Sequence, residues 1–417
     1  MATEKTDIIV YAHWRGMANP VKMGVLSAQE VRGHLTWSFA YEEEWLNTQS
    51  QLELDPDLNW FTGPQYSKDD KPNFGMFLDS MPDTWGRTLM KKREALLKPK
   101  GEQARRLTDI DYLLGVYDPA RMGGLRFKLD GNGPFLDDDK EKSIPPIADV
   151  RELQVGADLV ESDEDSEVVR KWLHILLAPG SSLGGARPKS SVLDENGELW
   201  IAKFPSRKDS IDKGAWEYVA WILAKSAGIT VPETKVEQLT GKDHTFFSKR
   251  FDRAGVDRIH FASAMTMAGH FESGIRDRTP SYLELAEFIQ FNGASPYEDL
   301  HELWRRIVFN IAISNTDDHL RNHGFIITDE GWRLSPAYDM NPSIDKAGLA
   351  LNIDLELNAL DYDLAKSVGE YFNLNKKEMD SIIEEVQDAV LNWEEAATNI
   401  GIPSVQRRLM AAAFISQ

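Results

Sequence analysis

Two stretches near the middle of the second half of the chain carry oxygen donors at close spacing. Residues 315–322 read NTDDHLRN, and residues 336–342 read PAYDMNP. Carboxylate and amide oxygens are the hard donors that Mg²⁺ takes, and Mg²⁺ uses only one or two protein carboxylates alongside substrate phosphates and water. Asp317 and Asn322 stand five residues apart. Asp339 follows GFII and WRL, which read as two short strands around a turn. That hairpin would carry Asp339 back toward Asn322, so one metal ion could meet both.

A third stretch lies upstream. Residues 180–189 read GSSLGGARPK, and glycine lets consecutive backbone N–H groups approach phosphate oxygens closely. The run lacks the Gly-Lys-Ser/Thr end of a P-loop and the G-x-G-x-x-G spacing. Its plain alternative is a helix-to-strand loop. Lys203 follows in LWIAKF, near the end of a strand with apolar neighbours. A lysine there either keeps its amine in water at a sheet edge or points at whatever phosphate the loop holds. A strand lysine under a Gly-rich cover, then Asp and Asn, then a second Asp, is the order in which protein kinases place their phosphate grip, catalytic base and metal ligands. Neither His-Arg-Asp nor Asp-Phe-Gly occurs, which excludes the standard eukaryotic-type motif set. A kinase lysine needs an acidic partner, and Glu217 is the candidate.

The elements that must position these residues are legible in outline. Residues 7–12, 21–26 and 34–41 read as strands. In residues 74–97, Pro82 and Asp83 fit a helix start. Residues 167–178 read as a helix. A hairpin follows over SVL and LWIAKF, turning at Asn196–Gly197. Residues 215–227 form a helix ended by Gly228, and 229–237 and 244–250 are strand-like. After about 255 the pattern turns helical, over 281–292, 297–313, 376–394 and 403–415. Leu300, Leu303, Trp304, Ile307, Val308 and Ile311 make one wide apolar stripe on the clearest of these. The expected fold is α+β and two-lobed, kinase-like, with 1–150 an extra β-rich N-terminal subdomain. Residues 151–255 complete the N-lobe, and 256–417 form a helical C-lobe, with the nucleotide between lobes.

Composition narrows the classes. The chain has 417 residues with Asp plus Glu 67, Lys plus Arg 47 and a net charge of −20. That field repels nucleic acid and argues against a free-standing DNA or RNA binder. The basic run at 87–106 reads either as a solvated helix face or as a phosphate-contacting patch. There is no cysteine, which removes disulfides, zinc ribbons, Fe–S clusters and cysteine nucleophiles. No apolar run is long enough for a membrane span, no signal peptide is visible, and a cytoplasmic location is expected.

The segments SNTDDHLRNHGFI, LSPAYDMNPS and SSLGGARPKS resemble the HipA family, bacterial protein serine/threonine kinases that act as toxins of type II toxin–antitoxin pairs. FLDSMPDTWGRTLM, DYLLGVYDPARMGGLRF and KRFDR are similar to further family segments, so the resemblance covers nearly the whole chain. It implies an ATP- and Mg²⁺-dependent kinase in which Asp317 takes or orients the substrate hydroxyl proton. Asn322 and Asp339 would hold Mg²⁺, with His319 and Tyr338 near the nucleotide. Lys203 would neutralise ATP phosphates under a cover of Gly184, Gly185, Ala186, Arg187 and Lys189. Lys249 to Phe251 would form the hinge beside adenine; Lys249 stands where an acidic residue is commoner in the family. Ser182 matches the family's autophosphorylated serine, with Ser181 beside it as the alternative. A phosphoserine there adds about −1.5 to −2 charges where ATP phosphates must sit, which would expel the loop. Implied partners are a helix-turn-helix antitoxin of the HipB type, operator DNA within that complex, and a protein substrate such as an aminoacyl-tRNA synthetase. The other readings are a co-repressor binding module and a small-molecule or lipid kinase.

Overall fold

Strand β1 (Thr6–Ala12) buries Ile8, Val10 and Ala12 in strict alternation, the period-two pattern of a sheet with one face on a core. It pairs antiparallel with β2 (Val21–Val31), which pairs in turn with β3 (His34–Tyr41). With β4 (Gln65–Tyr66) and β5 (Leu125–Lys128) they make a five-stranded sheet in the order β4-β3-β2-β1-β5. A register shift between Val10 and Tyr11 marks a bulge. Phe39 of β3, Phe127 of β5 and Phe74 each pack against the Phe77 ring. The structure is a computed structural model. It describes residues 5–31, 34–49, 52–68, 71–97, 103–139, 144–162, 167–177, 185–276 and 278–415.

The chain divides into two compact units that do not follow a single cut. The first comprises Met1–Ala202, Asp252–Ala262 and Gly269–Gly274; the second comprises Lys203–Phe251, Ser263–Ala268 and Ile275–Gln417.

Within the first unit the return segment is held by charge. Arg258 and Arg126 both reach Asp118, at 3.1 and 2.6 Å. Asp252 accepts the Gly123 N–H at 2.9 Å. Arg121 is fully buried and donates to the carbonyls of Ser80, Val116 and Leu136. Buried guanidinium groups persist only when satisfied in this way. Helix Thr84–Leu97 starts where Pro82 and Asp83 lead into it, the Asp83 carboxylate accepting the Gly86 N–H at 2.7 Å. A separate four-residue helix, Gly75–Leu78, precedes it. Part of the basic run at 87–106 is paired within the unit. Arg87 pairs with Asp109 and lies over the Tyr112 ring, Lys92 donates to the Val160 carbonyl, and Arg105 pairs with Asp111. Lys98 and Lys100 fall outside the described residues.

Strands Lys189–Leu193 and Leu199–Lys203 form the expected hairpin, and Gly197 in its turn has φ +77°, where glycine carries no steric cost.

The second unit is built on helix Pro296–Ala312. The predicted apolar stripe is buried along its whole length, and Trp304 donates its indole N–H to the Ala365 carbonyl at 3.0 Å. Helices Tyr282–Asn292 and Lys376–Val390 pack against it. The helical pattern at 376–394 resolves into two elements, Lys376–Val390 and Trp393–Ile400. Strands Thr234–Glu237 and Thr245–Lys249 pair antiparallel, as do Gly324–Thr328 and Gly331–Leu334. Among the described residues no helix is long and apolar enough to cross a membrane.

Candidate functional site

The second unit draws several of the expected residues into one constellation. Lys203 closes its strand with its ammonium 2.6 Å from Glu217 Oε1 and 2.6 Å from Asp339 Oδ1. Glu217 lies on helix Lys213–Ser226, whose N-cap is Asp212, accepting the Ala215 N–H at 3.1 Å. Gly214 lets this helix approach the strand beside it: a Cβ there would sit 2.2 Å from the His244 carbonyl oxygen. Burial alone pushes the Lys203 ammonium toward the neutral amine. The carboxylates of Asp339 and Glu217 outweigh that, so its pKa is raised and it stays charged.

Asp339 adopts φ +59°, a left-handed conformation that costs a non-glycine residue about 1 kcal/mol or more and concentrates at functional sites. Its loop is tied to the other donor segment. Asn341 Nδ2 lies 3.3 Å from the Asp339 carbonyl, and the Asn341 N–H donates to Asn315 Oδ1 at 3.4 Å. Tyr338 O–H donates to the Arg321 carbonyl at 2.8 Å. The neighbour of Asp339 is thereby fastened to the neighbour of Asn322.

Asn322 is oriented by its own loop. Its Nδ2 donates to the Asp317 carbonyl at 3.0 Å, and its amide oxygen has no protein donor among the described residues. Asn322 Oδ1 and the Asp339 carboxylate are two hard oxygen donors. That number suits Mg²⁺ completed by phosphate and water, and the half-buried Lys203 ammonium suits a phosphate oxygen. The donor set therefore fits a magnesium-bound triphosphate. His319 contributes a buried Nδ1 with no hydrogen-bond partner, a polar atom left over for a ligand.

Adjacent aspartates are treated oppositely. The Asp317 side chain is 77 % exposed, accessible to an acceptor hydroxyl. Asp318 is buried, and its Oδ2 accepts from the Tyr282 hydroxyl, from Asn310 Nδ2 at 2.7 Å and from His323 Nε2 at 2.8 Å. Burial first, then the Asp318 charge, pushes the Tyr282 hydroxyl well above the usual phenol range. These anchoring residues, with Asn315 and Asn341, were not singled out in the sequence. The signal for them is Asn310, an amide inside the apolar stripe of its helix, where only a hydrogen-bonded partner makes it tolerable.

The remaining expected residues divide between the units. Phe251 and Tyr338 rings pack at 5.6 Å in the second unit. Lys249 donates its backbone N–H to the Glu233 carbonyl at 2.8 Å, and its ammonium lies 3.9 Å from the Glu233 carboxylate. Gly185, Ala186, Arg187 and Lys189 belong to the first unit. Gly185 has φ +91°, and its carbonyl accepts the Trp85 N–H at 3.3 Å. The Lys189 ammonium is turned inward, 3.0 Å from Asp83, with its side chain 2 % exposed. Lys189 thus ties the foot of the loop to helix Thr84–Leu97. Ser181, Ser182 and Gly184 lie outside the described residues.

The HipA-like C-terminal domain family matches residues 181–393, just over half of the chain and all of the constellation above. The chain belongs to the HipA-like family. Among its relatives, the Sinorhizobium fredii (strain NBRC 101917 / NGR234) protein named "Putative kinase Y4mE" is 23 % identical over 407 residues, covering 88 % of this chain and 89 % of that one. A second protein of that organism, named "Putative kinase Y4dM", is 27 % identical over 224 residues, covering 49 % and 54 %. Among solved structures, one from the Shewanella oneidensis MR-1 HipA, HipB and operator DNA complex superposes with a TM-score of 0.68 at 18 % identity, over 97 % of this chain and 94 % of that one. That likeness establishes the HipA-like chain as α+β with the kinase-like HipA architecture.

Proposed function

We propose that the protein is an ATP- and Mg²⁺-dependent protein serine/threonine kinase, acting as the growth-inhibiting toxin of a type II toxin–antitoxin pair. The observation that carries this reading is the contact of Lys203 with both Glu217 and Asp339, beside a loop that exposes Asp317 and orients Asn322. In this role Asp317 accepts the proton of the acceptor hydroxyl. Lys203, kept charged by Glu217, neutralises phosphate oxygens. Asn322 and Asp339 would hold Mg²⁺, which when bound supplies further neutralisation of phosphate charge. Phe251 and Tyr338 offer an apolar face for a base. Ser182 is the proposed site of self-modification.

For the partner we propose a basic helix-turn-helix antitoxin of the HipB type. The net charge of −20 suits a basic surface, and the superposing HipA chain comes from a complex with HipB and operator DNA.

The test is phosphate transfer from labelled ATP to protein by wild type, Asp317→Ala and Asp339→Ala. Loss in both variants is expected. Incorporation equal to wild type in either would reject the assignment of that residue, and in both would reject the kinase reading.

A further inference from the structure

The loop that follows Asp339 returns toward the exposed aspartate. Lys346 Nζ lies 3.9 Å from Asp317 Oδ1, and the lysine side chain is 61 % exposed. The loop that presents it is short and held at both ends. On one side Asn341 bonds back to the Asp339 carbonyl. On the other, the Leu349 N–H donates to the Asn358 carbonyl at 2.9 Å, and Asn358 Nδ2 donates to the Leu349 carbonyl at 2.7 Å. Gly348 permits this seam: a Cβ there would stand 2.9 Å from Asn358 Oδ1 and 3.0 Å from the Asn358 carbonyl oxygen. Between the ends, the Asp345 N–H donates to Ser343 Oγ at 3.2 Å, which turns the chain. Only residues 344–347 are exposed.

Lys203 is committed, its ammonium placed between two carboxylates. Transfer of a phosphoryl group spreads negative charge over its equatorial oxygens, beside the base that receives the proton. Beyond Lys203 and Mg²⁺ on the donor's phosphates, a cation beside Asp317 would neutralise charge at the acceptor end of the site.

We propose that Lys346 is a catalytic residue of this site, the cation that neutralises the phosphoryl group as it moves to the acceptor hydroxyl. The inference rests on the kinase reading above. The acceptor hydroxyl gives its proton to Asp317, and its oxygen bonds to the γ-phosphorus. The bond from that phosphorus to the bridging oxygen breaks, and the nucleoside diphosphate leaves with the electron pair. Lys346 keeps its proton throughout and shifts from the Asp317 carboxylate to the phosphoryl oxygens. Its flexible four-carbon stem and its exposure allow that shift.

The experiment compares wild type, Lys346→Met and Lys346→Arg in two readouts. In steady-state transfer, Lys346→Met should lower kcat about ten-fold, at the low end for electrostatic stabilisers because the ammonium is solvated, with KM for ATP unchanged. Lys346→Arg should recover part of the loss. In binding, followed by tryptophan fluorescence, Lys346→Met should weaken the complex with ADP, Mg²⁺ and aluminium fluoride about ten-fold. Its affinity for ADP and Mg²⁺ alone should be unchanged. Equal aluminium fluoride affinity in wild type and Lys346→Met would overturn the role of Lys346. Full transfer by Asp317→Asn would instead overturn the reading on which it rests.

Discussion

Replacing Asp318 by Asn keeps the shape of the side chain and removes its charge, while Asp317→Asn does the same one residue earlier. The two should have opposite consequences. Asp318 is buried and a single oxygen receives three donors, from Tyr282, Asn310 and His323. A hydrogen bond to a charged group contributes about 1.5–3 kcal/mol, against about 1 for a neutral pair. Neutralising Asp318 should therefore cost about 0.5–2 kcal/mol per bond, or roughly 3 kcal/mol in all. The second unit holds about 200 residues, a size at which each kcal/mol moves Tm by about 2–4 °C. Asp318→Asn should melt about 6–12 °C below wild type by circular dichroism. Asp317 is exposed, so Asp317→Asn should melt with wild type yet lose about 10²–10⁴-fold in phosphate transfer. An Asp318→Asn protein melting within about 2 °C of wild type would refute the claim that this carboxylate anchors the loop.

Removing Lys203 should do more than stop transfer. Lys203→Met leaves the Glu217 carboxylate, 9 % exposed, without its cation, at a cost of about 2–4 kcal/mol. Adding Glu217→Gln should restore most of the urea midpoint and none of the activity; activity returning with stability would count against a direct role for Lys203. Asn322→Ala should raise the Mg²⁺ concentration needed for half-maximal transfer at least ten-fold, and an unchanged Mg²⁺ titration would remove Asn322 from the metal. Stability should also fall with acid through His260. This imidazole stacks on Trp14 at 4.9 Å and accepts the Gly124 N–H at 3.4 Å, and burial pushes its pKa down to about 3. The unfolded chain takes up that proton below about pH 6.5 and the folded chain does not. The stabilising contribution is thus complete above pH 6.5 and lost as pH falls toward 3, by about 2 kcal/mol at pH 5. His260→Gln should flatten urea unfolding free energy between pH 6.5 and 5, and a slope equal to wild type would exclude His260 as its source.

Much of this was legible in the sequence because the relevant spacings are local. The alternation of residues 34–41 and the three-and-four steps of residues 300–311 each follow from one element's geometry. The Asn-Gly turn of the hairpin needs only its own two residues. Asp317 and Asn322 share a single loop, so their relation is nearly fixed by five positions of chain. The residue types also narrow the chemistry: the absence of cysteine removes thiolate nucleophiles and thiolate metal sites.

Long-range placement was decided elsewhere. Lys203 meets Asp339 across 136 positions, and no periodicity specifies a contact at that separation. It depends on helix Pro296–Ala312 and its neighbours packing so that two loops converge. Of two adjacent aspartates, the fold exposes Asp317 and buries Asp318. The lysine of the Gly-rich segment reads as a ligand contact in sequence, yet the fold gives its ammonium to Asp83. The basic run at 87–106 reads either as a solvated helix face or as a phosphate patch, and the fold pairs Arg87 with Asp109, Arg105 with Asp111 and Lys92 with the Val160 carbonyl. A side chain's type is written locally, but its partner is set by whichever opposite charge or carbonyl the packed chain brings within about 3 Å.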